Sequence, residues 1–474
     1  MTRRAHILAA CGLSLLALSA VRAAESPDKA NLLDIYERAL QNDPQIREAE
    51  ANRLATMEAK PQARAALLPQ LTASGAWERL DTDVARVQLQ QTNPQDPTSP
   101  IVPFTIRTKA DEVESLQYSF RLTQTLFRWD RWTALRRADK EVARAEVEFK
   151  AAQQDLLARA AQRYFDVLAA QDTLEAAQAS LESFSRQLEQ TEKRFEVGLV
   201  AITDVQEARA ARDQASAAVI AAKRALASSQ EFLRELTGGT FSALAAPGED
   251  MPLKTPDPAT EEAWVSAAMQ QNLNLMSARL ATDIAKEDVR SARSGHYPTL
   301  DLVAQSTRDE DNGDSISYRG GIRTPSSADG STDTDVIGLQ VTVPIFSSGA
   351  VSSQVRQRVY LHRAARERSE RIARETERQA RDAYLGVVSE ISRVQALRQA
   401  LESSRTALQA TEAGFEVGTR TTVDVLDARR RLFEAQTNYA RSRYDYIINV
   451  LRLKQAAGTL EQKDLAEVNS WLTE

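Results

Sequence analysis

Two periods of apolar residues take turns along this chain, and their order predicts its architecture. Leu116, Tyr118, Phe120 and Leu122 alternate with Gln117, Ser119, Arg121 and Thr123, the period of two that marks a strand with one apolar and one polar face. Leu71, Ala73, Gly75 and Trp77 alternate in the same way with Thr72, Ser74, Ala76 and Glu78, where Ala76 is the single break in the polar face. Two further strands are predicted at Leu300, Leu302 and Ala304, and at Ile337, Leu339, Val341 and Val343, the last opposed by Gly338, Gln340 and Thr342. These are two β-hairpins, over residues 70–126 and 299–346, with the two-sided code of a barrel wall. The polar, Pro-containing stretch Arg79 to Glu114 and the Gly-, Ser- and Asp-rich stretch Thr307 to Asp335 are expected as exposed connections.

Helices fill the rest. Ala30 to Asn42 is predicted as a short helix stopped by Asp43-Pro44, and Gln45 to about Leu67 as a second one ended by Leu68-Pro69-Gln70-Leu71. Trp129 to Thr237 holds no proline and a single glycine, Gly198, which predicts a long helix over 129–196, one turn, and a return helix over 203–236. Val351 to Ala457 again holds no proline, which predicts a long helix over 349–415, a turn at Gly418 and a return over 421–455. A helix of some 67 residues is a rod of about 100 Å. Leu174, Leu181, Leu188 and Phe195 recur every seven residues, with Ala177, Phe184 and Thr191 between them, as do Leu426, Phe433, Ala440 and Ile447 on the second return. That is coiled-coil spacing.

The chain is an internal duplication. Phe195 to Asp204, FEVGLVAITD, reappears as Phe415 to Asp424, FEVGTRTTVD, at a spacing of 220, and Pro69 matches Pro298 at a spacing of 229. Residues 25–240 form one repeat and 259–458 the other, joined by a linker at 241–258 and followed by a short tail at 459–474. Each long helix is matched in length by its two shorter partners placed end to end, so a hollow helical cylinder below a barrel is predicted. Four strands cannot close that barrel, since single-chain barrels start at about eight, so it must be shared between chains.

Charge and termini refine the compartment. Arg3 and Arg4, an apolar run from Ile7 to Ala20 and small residues at Ala23 and Ala24 predict a cleaved secretory signal over 1–24. It takes the single cysteine, Cys11, with it, and loss of Arg3, Arg4 and Arg22 moves the formal charge from -6 to -9. No later stretch reaches the roughly 18 apolar residues of a membrane helix. With only His296 and His362 left and no nucleophile beside a matching base, neither an enzyme nor a metal or other cofactor is expected. The arginines from Arg356 to Arg381 alternate with Glu367, Glu370, Glu375 and Glu377, which marks a salt-bridged helix surface rather than a nucleic-acid site.

The motifs Leu68-Pro69-Gln70-Leu71, Pro298-Thr299-Leu300, Val197 to Asp204 and Val417 to Asp427 resemble those of the TolC-like outer membrane efflux proteins, the outer membrane factors, over nearly the whole mature chain. The resemblance implies an α+β membrane protein: a homotrimer whose twelve-stranded barrel, four strands per chain, sits in outer membrane lipid and continues as a periplasmic coiled-coil tunnel. It implies a passive exit duct for efflux or type I secretion in a Gram-negative bacterium. A periplasmic adaptor, or membrane fusion protein, would join it to an inner membrane pump of RND, ABC or MFS type.

Site residues follow at the tips. Asp424 and Asp427 stand three apart on one helix face just after the turn. On their own they suit a helix N-terminus; the resemblance makes them rings of gate carboxylates in the tunnel constriction. It further implies a lock in which Arg420 links to Thr203 and Asp204, with Gln187 at a matching position. Phe415 departs from the tyrosine expected there, so a hydroxyl contact is missing and the closed state is expected to be less firmly latched. Val197, Gly198, Leu199, Val417, Gly418 and Thr419 are implied as adaptor-docking tips, the glycines also serving the turns. A different class of reading, a barrel-anchored coiled-coil spacer or adhesin stalk without conduction, has no need of carboxylates just past both turns.

Overall fold

The computed structural model describes residues 29–248, 251–319, 322–327 and 329–473. The signal expected over 1–24, and Cys11 within it, lie outside the described residues. Near the N-terminus, Asn31 caps α1 (Leu32–Asn42) by accepting the Leu33 and Asp34 N–H groups, and Asp34 returns a bond to the Asn31 N–H. Asp43 then ends α1 and caps α2 (Pro44–Met57), with Pro44 in the first turn where its missing N–H costs nothing. The single helix expected to Leu67 is broken. Pro61 cannot donate back to Met57, so the chain restarts as α3 (Ala59–Ala65) with that proline near its beginning.

Strands β1 (Gln70–Gln91) and β2 (Ile101–Phe127) pair antiparallel. They are much longer than predicted: the segment expected as a loop over Arg79 to Glu114 is mostly strand, and only residues 92–100, around Pro94, Pro97 and Pro100, connect them. The physical reason is the density of β-branched residues at Thr82, Val84, Val87, Val102, Thr105, Ile106 and Thr108, which favour extended backbone even where the alternation is polar. The same holds for the second expected loop. There β4 (Thr299–Arg319) runs on beside β5 (Ile322–Ser327) and β6 (Gly330–Thr342), which pair in succession with the same edge of β4. The sheet is therefore four strands wide, its fourth strand in two pieces, in the order β1, β2, β4, then β5 and β6.

Register aligns the apolar faces. Leu71 pairs with Leu122, Leu122 with Ala304 and Ala304 with Ile337, so one apolar row crosses the whole sheet. The stretch from Leu116 to Leu126 matches the roughly 9–11 residues with which a tilted strand crosses a bilayer. Neither the outer edge of β1 nor that of β5 and β6 has a partner within the described residues of one chain.

The two rods α4 (Trp129–Glu196) and α8 (Ala350–Glu416) have 68 and 67 residues. Each is flanked at its lower end by a return helix, α5 (Ile202–Thr237) or α9 (Thr422–Ala457), and at its upper end by short helices. Those are α2 and α3 for α4, and α6 (Glu261–Gln271) and α7 (Leu273–Arg293) for α8, while α7 also packs on α4.

The core lies at mid-length, where these elements meet. Leu156, Ala160, Tyr164 and Phe165 of α4 pack with Leu32 and Ile35 of α1, Val387 of α8, and Tyr444, Ile447 and Leu451 of α9. Phe165 sits edge-on to Tyr164 at 5.3 Å and stacks on Tyr444 at 5.7 Å. The segment expected as a plain tail joins this belt. Leu460, Leu465 and Val468 are buried around α10 (Gln462–Asn469), and β7 (Leu472–Thr473) pairs with β3 (Ala246–Pro247) from the linker.

The duplication is visible in how each return helix stops. Gly238 ends α5 against Asn42 at the α1–α2 break, and Gly458 ends α9 against Gln271 at the α6–α7 break. Gly458 has φ 77°, and a Cβ there would come within 2.3 Å of the Gln271 carbonyl oxygen. Gly458→Ala is therefore expected to destabilise the protein by at least about 2 kcal/mol, from backbone strain alone before any overlap. An unchanged thermal midpoint in detergent would contradict this close approach.

Candidate functional site at the hairpin tips

Below the core the rods run on for some 30 residues, about 45 Å, to two turns. At the end of α4 the Leu199 N–H donates to Arg194 O at 2.9 Å, and at the end of α8 the Thr419 N–H donates to Gly414 O at 2.8 Å. Gly198 and Gly418 take φ 75° and 78° between them, a conformation that lacks a steric penalty only without a Cβ. Val197, Leu199 and Val417 are 70%, 73% and 76% exposed, and Thr419 is exposed as well. The residues expected to dock a partner thus form two solvent-facing caps, largely apolar in the first and mixed in the second.

Helix starts place the carboxylates. Thr421 caps α9 by accepting the Asp424 N–H, and the Asp424 carboxylate takes the Thr421 N–H and hydroxyl at 2.9 Å each. That N–H, then the hydroxyl, hold the Asp424 carboxyl below the usual carboxylate range, with Arg420 adding a smaller pull. Asp204 reaches back to the Ala201 N–H at 3.2 Å in the first repeat. Alanine has no side-chain oxygen to return the bond. One turn beyond Asp424, Asp427 forms an ion pair with Arg430.

Within one chain the residues of the expected lock make other contacts. Arg420 folds back over the end of α8, where Gly414 makes room for it: a Cβ at 414 would lie 2.8 Å from Arg420 Cγ. Among the described residues no hydrogen bond or ion pair joins Arg420 to Thr203 or Asp204. Gln187 is 3% exposed in the seam of α4, and its Nε2 has no partner among the described residues. Phe415 is used for its face. The Arg194 guanidinium lies 4.6 Å from its ring centroid, a cation–π contact between the two hairpins.

The firmest link at the tips was missed by sequence reasoning. Arg429 of α9 donates to Glu412 of α8 at 3.1 and 2.7 Å, and to Ser183 of α4 at 3.0 Å (carbonyl) and 2.9 Å (hydroxyl). One guanidinium thereby ties three helices, beside a small cluster of Phe184, Ala215 and Leu426. A signal existed: Glu192 and Arg209 occupy the equivalent positions in the first repeat and pair at 3.0 Å. The two copies differ in setting, since the Arg209 side chain is 52% exposed and that of Arg429 only 17%. Only the second copy reaches across to the other hairpin.

A profile of the family described as "Outer membrane efflux protein" matches residues 35–239 and again 264–459, once per repeat. The chain belongs to this outer membrane efflux protein family. Outer membrane protein TolC of Escherichia coli is 37% identical over 464 residues, which covers 98% of this chain and 88% of that protein. Alkaline protease secretion protein AprF of Pseudomonas aeruginosa is 29% identical over 436 residues, covering 92% and 85%. The crystal structure of the Campylobacter jejuni CmeC outer membrane channel has the same fold, with a TM-score of 0.69 at 16% identity over 99% of this chain and 98% of that one. As an outer membrane efflux protein the chain forms a trimeric, non-enzymatic channel of the efflux and secretion type in the Gram-negative outer membrane. Three copies of a four-stranded sheet give the twelve strands that the resemblance implies.

Hydrogen bonds to charged groups contribute about 1.5–3 kcal/mol, so Arg429→Ala is expected to loosen the two hairpins against each other, leaving the Arg194–Phe415 contact and the small apolar cluster. Spin labels on α4 and α9 near the tips should report a broader and longer distance distribution in this variant, and Arg429→Lys, which lacks the planar fork, an intermediate one. Identical distributions in all three proteins would remove Arg429 as the clamp.

Proposed function

We propose that this channel is the exit duct of tripartite efflux pumps or of type I protein secretion, and that Asp424 and Asp427 form its periplasmic gate. In this reading the tips meet a periplasmic adaptor, which couples the duct to an energised inner membrane pump. The observation that carries it is the position of the two carboxylates. They share one face of the first turns of α9, at the far end of the rods from the sheet. Threefold symmetry turns such a pair into two rings, and rings of carboxylates around a narrow aqueous opening draw cations and repel anions.

The caps at Val197 to Leu199 and Val417 to Thr419 support adaptor docking, because exposed apolar side chains at a tip are ready anchors for a partner helix hairpin. Opening then consists of parting the hairpins, against the links through Arg429 and the Arg194–Phe415 contact. The tips are suited to this: a small cluster holds them together, whereas the mid-length core is large, and thinly packed regions open at low cost.

Single-channel recording in planar bilayers tests the gate. The wild type is expected to pass a small, cation-selective current blocked by La3+ from the periplasmic side, and Asp424→Ala with Asp427→Ala to lose the block. Silence in both proteins despite trimeric insertion would favour a non-conducting spacer, and equal block in both would remove the carboxylates from the gate. Because the Asp424 carboxyl lies below its ordinary range, its charge is kept as pH falls and is lost only below that range. Block should therefore be the same at about pH 7.5 and about pH 5, above the ordinary carboxylate pKa of about 3.9; loss of block between those values would assign it to other groups.

A further inference from the structure

The gate carboxylates are not electrically equal. Asp424 is hydrogen-bonded by neutral partners, the N–H and hydroxyl of Thr421, and makes no ion pair among the described residues, Arg420 adding only a smaller pull. Asp427 instead faces Arg430, three residues further along the same helix. Arg430 also lines two neighbouring cavities in the groove between the hairpins. One, of about 390 Å³, holds Asp427, Glu207, Ser180 and Phe184; the next, of about 610 Å³ and further from the tip, holds Phe433 and Thr437. The guanidinium thus stands where the tip groove passes into the body of the helical cylinder.

We propose that Arg430 sets the ionic selectivity of the tip opening by cancelling Asp427, leaving Asp424 as the one uncompensated carboxylate of each chain's pair. This rests on the reading of Asp424 and Asp427 as gate carboxylates. A trimer then presents three net negative charges from these groups in place of six. The opening is less cation-selective than two bare rings would make it, binds multivalent cations less tightly, and repels anionic solutes less strongly. The pair adds little to stability, because exposed ion pairs are worth about 0–1 kcal/mol; its effect is on the field. Unit charges within about 8 Å of a trivalent ion act on it over less than the Debye length of about 10 Å at 0.1 M salt, so three of them alter its affinity by an order of magnitude or more.

The test compares Arg430→Gln, Arg430→Gln with Asp427→Asn, and Arg441→Gln in bilayers, each with trimeric insertion confirmed. Arg441 carries the same charge on α9, but lies some 17 residues from Asp424, about 25 Å along the helix. Arg430→Gln is expected to shift the reversal potential in a KCl gradient toward that of K+ and to lower the half-blocking La3+ concentration at least about tenfold. The double variant, in which the pair is again neutral, should return both values to wild type, which a merely structural role for Arg430 would not produce. Arg441→Gln should leave both unchanged. If Arg430→Gln behaves as wild type while the loss of Asp424 and Asp427 abolishes block, the gate stands and the role of Arg430 is overturned. If the loss of the two aspartates is itself without effect, both readings fall together.

Discussion

The whole assembly depends on a deficit of backbone hydrogen bonds. One chain makes a sheet four strands wide with both edges open, and in lipid an open edge leaves N–H and C=O groups that no solvent satisfies. Closure among three chains removes the deficit, and the ring so formed sets the diameter of everything below it. The helical rods follow the sheet closely, α4 from β2 after one residue at Arg128 and α8 from β6 after residues 343–349, so they inherit that spacing. A hollow cylinder is the consequence of strands that cannot pair at home.

The mid-length core gives the rods a fixed point. Around Tyr164, Phe165 and Tyr444, large side chains from α1, α4, α8 and α9 are buried together, and the linker and C-terminal segment wrap the same level. Beyond that belt some 30 residues of each hairpin project with little to bury. What holds the tips is polar and local: the Arg429 fork, the Arg194 guanidinium on Phe415, and a cluster of three buried side chains. Such contacts are specific yet separable, unlike the continuous apolar packing of the belt.

Duplication supplied two nearly equal hairpins that differ in their tip contacts. Both repeats keep the glycine turn, the carboxylate that caps the return helix, and the Glu–Arg pair behind it. Only in the second does the cap have a hydroxyl partner, through Thr421, and only there does the arginine reach the other hairpin. Gly414 stands where the first repeat has Arg194, and the space it leaves is filled by Arg420. The arginine that the first repeat keeps at this position crosses to Phe415, so a ring without a hydroxyl is held through its face by a cation instead.

Much of this was legible in the chain itself. Helix lengths, glycine turns, strand faces and the repeat are written in local spacing, because a helix or strand reports its own period wherever it packs, and the expected ends of α4 coincide with the observed ones. Local errors had local causes: Pro61 breaking a helix, β-branched residues extending strands through segments whose polarity suggested loops, and the apolar spacing of Leu460, Leu465 and Val468 that makes the tail part of the core. The tip contacts were different in kind. Arg429 meets Ser183 across 246 residues of sequence, and which arginine meets which partner depends on the rotation and offset of two rods about 100 Å long. No periodicity encodes that rotation; it follows from the packing of the waist, and only the tertiary structure decided it.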